Sequence, residues 1–241
     1  MLLKLESPKI FSDIVAIISE LVNDVRIKVT KEGMSVTAVD PANVAMVHFK
    51  LPADLFSTFD IEKDEILGIS LENLRAVLRR CGLGSSLTMQ RIDNQFQLTI
   101  QDKIKRDFML ALIDIEGDDK EMPSWEFKSV IKMDSGAFVE VVEDCLIVSD
   151  ACTFRAEPNK FIVEASGLNS ARAEFSSEDV QIHSDFSTAR FSLEYLNKFV
   201  KGAKISSNVS INFSDNHPMR IDFSTGNVML SFVLAPRIEQ E

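Results

Sequence analysis

Asp114, Glu116, Asp118 and Asp119 put four carboxylates within six residues, a grouping that could hold a hard cation. They lack the spacing of an EF-hand loop, and a solvated linker accounts for them better. Asp93 and Asp215 each precede an asparagine, as turn residues do. The three histidines, His48, His183 and His217, are isolated from one another, and a satisfied or exposed structural role is expected for each. Cys81, Cys145 and Cys152 have no metal-ligand spacing, and their odd number and scatter suit a reducing compartment. There is no phosphate-binding glycine loop, no His-Glu-x-x-His, no Cys-x-x-Cys and no nucleophile elbow. No cofactor and no metal are therefore expected. The remaining chemistry lies in the cations: Arg75, Arg79 and Arg80 in one stretch, Lys198, Lys201 and Lys204 in another. Arg75 and Arg79 are four apart and share a helix face; Lys198 and Lys201 are three apart. One reading is two solvated helix faces. The other is sequence-independent contact with phosphates, since nothing here resembles base readout.

The elements carrying these groups follow from hydrophobic spacing. Residues 8–22 read as a helix with Pro8 in its first turn and Ile10, Ile14, Ile17, Ile18 and Leu21 in a stripe. Strands are expected over 25–30, 34–39 and 44–50, then a helix over about 71–80 burying Leu71, Leu74, Val77 and Leu78. Strands follow near 86–91, 95–100 and 106–113. Later, Phe138, Val141, Val142 and Cys145 form a second helical stripe. Strands fall near 152–157, 160–165, 171–176, 180–184 and 187–191. A helix over about 193–200 comes next, with Lys204 just beyond it, and then strands near 208–213, 218–223 and 228–234.

The two halves match. Asn43-Val-Ala-Met-Val-His-Phe49 meets Asn169-Ser-Ala-Arg-Ala-Glu-Phe175, and Ser70-Leu-Glu-Asn-Leu74 meets Ser192-Leu-Glu-Tyr-Leu196. Asp93-Asn94 meets Asp215-Asn216, and Met109-Leu110 meets Met229-Leu230. Four matches in one order, at offsets of 120 to 126, indicate a duplicated unit. The expected class is α+β, with two similar domains of two helices on antiparallel sheets. Domain bounds of 1–115 and 128–241 flank an acidic connector, 116–127, in which Met122 and Trp125 are apolar. The net charge of -11 repels nucleic acid at long range, so a nucleic-acid role needs cations gathered on one face. The first residues lack a signal-peptide layout, and no apolar run is long enough for a membrane span.

Three segments are similar to one known family. Ala38-Val-Asp-Pro-Ala-Asn-Val-Ala-Met-Val47, Ser192-Leu-Glu-Tyr-Leu-Asn-Lys-Phe-Val200 and Leu234-Ala-Pro-Arg-Ile-Glu239 resemble sliding clamps, specifically proliferating cell nuclear antigen of archaeal or eukaryotic type. The resemblance spans essentially the whole chain. It implies a trimeric ring with pseudo-six-fold symmetry, closed around duplex DNA, that acts without catalysis as a processivity factor. Helices would line the hole; Lys9, Arg75, Arg79, Arg80, Lys198, Lys201 and Lys204 are the implied DNA-facing cations. Subunits would join through residues near 105–113 against 172–180 of a neighbour, with Lys105, Arg106, Phe108, Leu110, Glu174, Phe175 and Glu178 at the contact. A partner groove is implied at Val39, Val44, Met46, Met122, Pro123, Pro218, Ala235, Pro236 and Ile238. The main-chain groups of Ala235 to Ile238 would hold the glutamine of a short Gln…aromatic-aromatic motif. The implied partners are a clamp loader, DNA polymerase, flap endonuclease and ligase. The implied location is the cytoplasm of an archaeon, at the nucleoid, or a eukaryotic nucleus.

One departure stands out. Glu140, Glu143 and Asp144 occupy a helix where the family usually places cations, and three copies carry -33 in total. Either the second and fourth helices make the DNA contact, or the chain belongs to a mixed ring, as in some archaea. A checkpoint-type clamp subunit is the related alternative. A metal-dependent phosphoesterase with duplicated domains is the unrelated one.

Overall fold

The computed structural model describes residues 1–117 and 120–238, in two compact units. The first comprises Met1–Pro41, Val47–Met122 and Gly226–Met229; the second comprises Ala42–Met46, Pro123–Thr225 and Leu230–Glu241. The chain crosses between them at 41/42, 46/47, 122/123, 225/226 and 229/230.

The first-half elements run β1 (Leu2–Leu5), α1 (Lys9–Ile18), β2 (Asp24–Thr30), β3 (Gly33–Val39), β4 (Ala45–Pro52), β5 (Thr58–Asp60), β6 (Glu65–Ser70), α2 (Leu71–Leu78), β7 (Ser86–Ile92), β8 (Gln95–Gln101) and β9 (Lys105–Ala111). The second-half elements run β10 (Ser129–Asp134), α3 (Ser135–Leu146), β11 (Ala151–Glu157), β12 (Lys160–Ser166), β13 (Ser170–Ser176), β14 (Gln181–Ser184), β15 (Ser187–Ser192), α4 (Leu193–Phe199), β16 (Asn208–Phe213), β17 (Met219–Thr225) and β18 (Val228–Leu234). The two orders are the same, strand for strand and helix for helix. Strands β5-β1-β7-β8-β9 lie side by side in the first half and β14-β10-β16-β17-β18 in the second. Likewise β4-β3-β2-β6 has its counterpart in β13-β12-β11-β15. The duplication read from four short matches is therefore a duplication of topology.

Alternation builds the sheets. In β2, Val25, Ile27 and Val29 are buried while Arg26, Lys28 and Thr30 are not. In β8, Phe96, Leu98 and Ile100 turn inward. The helices cover the inward faces with Phe11, Ile14 and Val15 on α1, Leu71, Leu74 and Leu78 on α2, and Phe138 and Val142 on α3. Phe154 centres the second core, with Phe161 and Phe191 at 5.6 Å, Phe213 at 6.0 Å and Phe138 at 6.2 Å.

Sequence spacing overextends α1, which ends at Ile18 rather than at residue 22. The reason is local. The Ser19 hydroxyl donates to the Ala16 carbonyl at 2.9 Å, and the Glu20 and Leu21 N–H groups reach back only three residues, to Ile17 and Ile18. Leu21 is buried beyond the helix, in the turn. Strands β1, β5, β6 and β10 are absent from the sequence expectation. Lys204 lies within a short 3-10 turn, Val200–Lys204, that continues α4.

Four sheet ends are short or covered. β5 and β14 have three and four residues. The Ile113 N–H donates to Gly68 of β6 at 3.0 Å, and the Arg237 N–H donates to Arg190 of β15 at 2.7 Å. β9 and β13 also end their sheets and have seven residues each. Among the described residues, no backbone hydrogen bond covers their outer sides.

Candidate nucleic-acid and partner interfaces

The helix cations are unequal. Lys9 is exposed but pairs with Asp13, one turn on, at 2.5 Å. Arg75 is half-buried. Its Nη1 donates to Ser19 Oγ at 3.2 Å, tying α2 to α1, and its Nε is buried with no acceptor. Arg79 and Arg80 are exposed. Lys198 pairs with Glu194 at 3.2 Å and lies 5.1 Å from the centre of the Tyr195 ring. Lys201 is half-buried and Lys204 exposed, both on the 3-10 turn. On α3, Glu140, Glu143 and Asp144 are all exposed. Apart from Lys9 on α1, the implied cations sit in each half on or directly after the second helix and, in the second half, on its 3-10 continuation. Sequence spacing missed the pairing of Arg75 with Ser19, which lies 56 residues away.

The implied groove residues split by unit. In the first, Val39 closes β3 and Met122 ends the segment Val47–Met122, both half-buried. In the second, Val44, Met46, Pro123, Pro218, Ala235 and Pro236 are half-buried, and Ile238 is 71% exposed. The Ala235 N–H donates to the Val44 carbonyl at 2.9 Å, bringing those two together. With the Arg237 N–H committed to Arg190 and Pro236 lacking one, the tail offers carbonyl acceptors rather than donors along 235–237. A glutamine side-chain amide is a matching donor.

On β9, Lys105 is exposed, and Phe108 and Leu110 are half-buried. Arg106 turns back to Asp102 and to the Arg80 carbonyl, the latter at 3.3 Å. The Asp102 carboxyl is held below the usual carboxylate range, first by the Ile104 N–H and then by Arg106. On β13, Phe175 stacks on Phe161 at 6.1 Å. Glu174 is bridged by Lys160 at 2.9 Å and Arg172 at 2.6 Å, and its pKa is lowered, chiefly by Lys160. Arg106 and Glu174, both placed by the resemblance at the subunit contact, thus already hold partners within the chain. Glu178 is exposed beyond the strand. A recess of about 340 Å³ flanks β13, lined by Val141, Cys145, Ile147, Val148, Ala171 and Ala173 among others. Ile147 is 80% exposed there. Sequence reasoning missed it because it falls just past α3, outside the inward stripe.

Among the described residues, no group of three or more His, Cys, Asp and Glu gathers as a metal site. Asp114 and Glu116 are exposed; Asp118 and Asp119 lie outside the described residues. His48 bonds Thr37 across neighbouring strands at 2.8 Å. Asp93 sits in a two-residue turn at φ 51°, whereas Asp215 accepts from the Thr188 N–H at 2.9 Å and from Lys128 at 3.0 Å. Both aspartates lie in turns between paired strands, and Asp215 in addition anchors two neighbouring segments.

The sequence matches two adjoining family descriptions. "Proliferating cell nuclear antigen, N-terminal domain" covers residues 1–121, and "Proliferating cell nuclear antigen, C-terminal domain" covers 121–238. The chain belongs to the proliferating cell nuclear antigen family. Its similar relatives include the "DNA polymerase sliding clamp" of Thermococcus fumicolans, 31% identical over 242 residues and 97% of each chain. That of Pyrococcus furiosus is 28% identical over 243 residues, 98% of this chain and 97% of the other. In three dimensions the fold matches the proliferating cellular nuclear antigen of Entamoeba histolytica with a TM-score of 0.92, at 24% identity and 98% coverage of both chains. The two-domain α+β architecture of this family is thus the architecture of the present chain. No helix among the described residues is long and apolar enough to cross a membrane.

Proposed function

We propose that the chain is a DNA polymerase sliding clamp, a subunit of a trimeric ring that encircles duplex DNA and tethers polymerase without catalysis of its own. One observation carries the reading beyond family membership. Among the described residues the two seven-residue edges, β9 and β13, take no backbone hydrogen bond on their outer sides, whereas β6 and β15 each take one from a passing segment. Bare edges of that length invite pairing with another chain. Because the two edges are different strands, their pairing is head-to-tail, and head-to-tail contacts close into rings when the rotation allows. Phe108, Leu110 and Phe175, with Lys105 and Glu178 at the margins, are the residues assigned to that contact. Arg106 and Glu174 would exchange internal partners for external ones.

Arg75, Arg79, Arg80, Lys198, Lys201 and Lys204 are assigned to phosphate contact. Lys9 has a smaller share because Asp13 holds it. Loose contact of this kind prefers no base pair and so permits sliding. Val39, Val44, Met46, Met122, Pro123, Pro218, Ala235, Pro236 and Ile238 are assigned to docking of short Gln…aromatic-aromatic segments from polymerase, flap endonuclease and ligase. An apolar groove accepts the aromatic anchors, and the carbonyl acceptors of the tail meet the glutamine. We assign the domains as 1–115 and 128–241 with the connector 116–127, and place the protein at the nucleoid of an archaeal cytoplasm or in a eukaryotic nucleus. Light scattering on the isolated chain tests the assembly. A mass of about three times 27.0 kDa is expected. A monomer that trimerises only with related chains would replace the homotrimer by a mixed ring, and a monomer under every condition would remove the ring.

A further inference from the structure

The sheet β13-β12-β11-β15 carries a cleft of about 780 Å³ that lies wholly within the second unit. Arg172, Arg190 and Arg237 line it, with Thr153 and Ser166 and, among the described residues, one carboxylate, Glu164. Strand register builds the arrangement. Arg172 of β13 lies opposite Glu164 of β12, Glu164 opposite Thr153 of β11, and Thr153 opposite Arg190 of β15. Residues in such a row share one face of the sheet. At strand spacings of about 4.8 Å, the Cα atoms of the two arginines are about 14 Å apart. Arg237 joins Arg190 at the end of the row, its N–H donating to the Arg190 carbonyl at 2.7 Å.

Duplication shows what this cleft replaces. At the offsets that relate the halves, Arg172 stands where the first half has Met46, and Arg190 where it has Gly68. Ser166 closes β12 as Val39 closes β3. Gly68 and Arg190 share a structural part, since the carbonyl of each accepts from a passing segment: Ile113 after β9, and Arg237 after β18. Val39 and Met46 are assigned above to a groove for aromatic anchors. Their counterparts are a hydroxyl and a guanidinium, so the second half changes the chemistry of that place from apolar to cationic.

The partners of these arginines release them at small cost. Arg172 holds Glu174 at 2.6 Å, but Glu174 keeps Lys160 at 2.9 Å when Arg172 turns away. Arg237 holds Asp150 at 2.7 Å, and Asp150 is 77% exposed, so water can take the place of the guanidinium. Exposed ion pairs of this kind are worth little. The Asp150 pKa is lowered first by Arg237, with a further share from Arg190, which sets both cations close to one carboxylate. Glu164 is engaged by Arg155 at 2.7 Å and so opposes an incoming anion less than an unpaired carboxylate would. Exposed Ile238 lines the same cleft and offers an apolar seat beside the charges. A long polyanion would run past the arginines onto Glu174 and Asp150 and meet repulsion there; a short segment ends within the cleft.

We propose that this cleft docks an acidic peptide segment of a partner protein, its carboxylates on Arg172 and on Arg190 with Arg237, and an apolar side chain on Ile238. Carboxylates four residues apart in an extended segment are about 14 Å apart, the span of the two arginines. Strand pairing at the β13 edge uses main-chain groups and extends this face rather than covering it. The docking is therefore independent of the ring and of the groove.

Fluorescence anisotropy on the full chain at about 0.1 M salt tests it with three labelled probes. They are the peptide Gly-Glu-Asp-Leu-Asp-Glu-Gly, its amide form Gly-Gln-Asn-Leu-Asn-Gln-Gly, and a single-stranded thymidine oligonucleotide of the same charge as the acidic peptide. The acidic peptide is expected to bind about ten-fold more tightly than the amide form. The double variant Arg172→Gln, Arg190→Gln is expected to lose about ten-fold in affinity for the acidic peptide and to leave oligonucleotide binding unchanged. Arg91→Gln, which removes an exposed cation from the first unit, is expected to change the acidic peptide by less than about two-fold. Glu164→Gln takes the carboxylate out of the lining and is expected to tighten binding about two-fold, a gain that a poorly folded protein cannot produce. It carries the test should the double variant fail to fold. Equal binding of the two peptides, undiminished binding by the double variant, or unchanged or weaker binding by Glu164→Gln overturns the proposal. Loss of the oligonucleotide rather than the acidic peptide in the double variant would assign the cleft to nucleic acid and overturn it as well.

Discussion

Met122 and Asp215 show how single side chains in this protein can be put to the test. Met122 is half-buried and belongs to the proposed groove. Replacing it with Glu strands a carboxylate against apolar partners, a cost of at least about 2 kcal/mol, or roughly thirty-fold in peptide affinity. Full-strength peptide binding by Met122→Glu would remove it from the site. Asp215 accepts from the Thr188 N–H and then from Lys128, and its pKa is lowered in the folded state. Its contribution to stability is therefore complete above the unfolded carboxylate value of about 3.9 and is lost as pH falls through the lower folded value. Asp215→Asn is expected to lower the melting temperature at about pH 7 and to converge with wild type near about pH 2. A constant gap across that range would show that Asp215 acts without its charge. These pairings were not legible in the sequence. Lys128 and Asp215 are 87 residues apart, Trp125 and His217, with ring centroids 4.8 Å apart, lie in separate segments of the chain, and no local spacing encodes a meeting made by tertiary packing. The types were legible: the helix cations, the apolar pair in the connector and the prolines all stand out by residue type alone.

The elements were legible where periodicity was long. The α2 stripe of Leu71, Leu74, Val77 and Leu78 is buried as its spacing requires, and the hairpin β7–β8 lies where alternation puts it. Short strands escaped. β1 has four residues and β5 three, too few for alternation to rise above chance. β10 follows the connector with no turn residue to mark its start. Glycine permits one close approach that pattern cannot show. A Cβ on Gly68 would lie 2.0 Å from the Ile113 carbonyl oxygen, because the chain leaving β9 passes directly over β6. Gly68→Ala is expected to destabilise the first domain by about 1–3 kcal/mol and to lower its melting temperature by more than about 5 °C. A wild-type melting curve would show that the covering segment is free to move away. The four substitutions Arg75→Ala, Arg79→Ala, Lys198→Ala and Lys201→Ala act on both second helices together. They should leave the oligomeric mass unchanged and flatten the salt dependence of DNA retention by about 0.9 in log–log slope for each phosphate that is no longer neutralised. An unaltered slope would place the DNA-binding cations elsewhere.

At the scale of the whole molecule, duplication gives the chain two equivalent units, and the pattern of covered and bare edges gives it a direction. β6 takes a backbone hydrogen bond from the chain leaving β9 and β15 one from the C-terminal tail, and the strand pairing proposed above uses the two edges that take none among the described residues, β9 and β13. Such an assembly need not bind DNA tightly. With -11 on each chain and acidic residues exposed on α3, retention by phosphate contact alone would be weak, and enclosure replaces affinity. Loading the protein onto a nicked circular duplex, linearising half of the sample with a restriction enzyme, and measuring how much protein stays bound tests this most directly. Retention on the circle with loss from the linear form is the result an enclosing ring predicts; equal loss from both would contradict it.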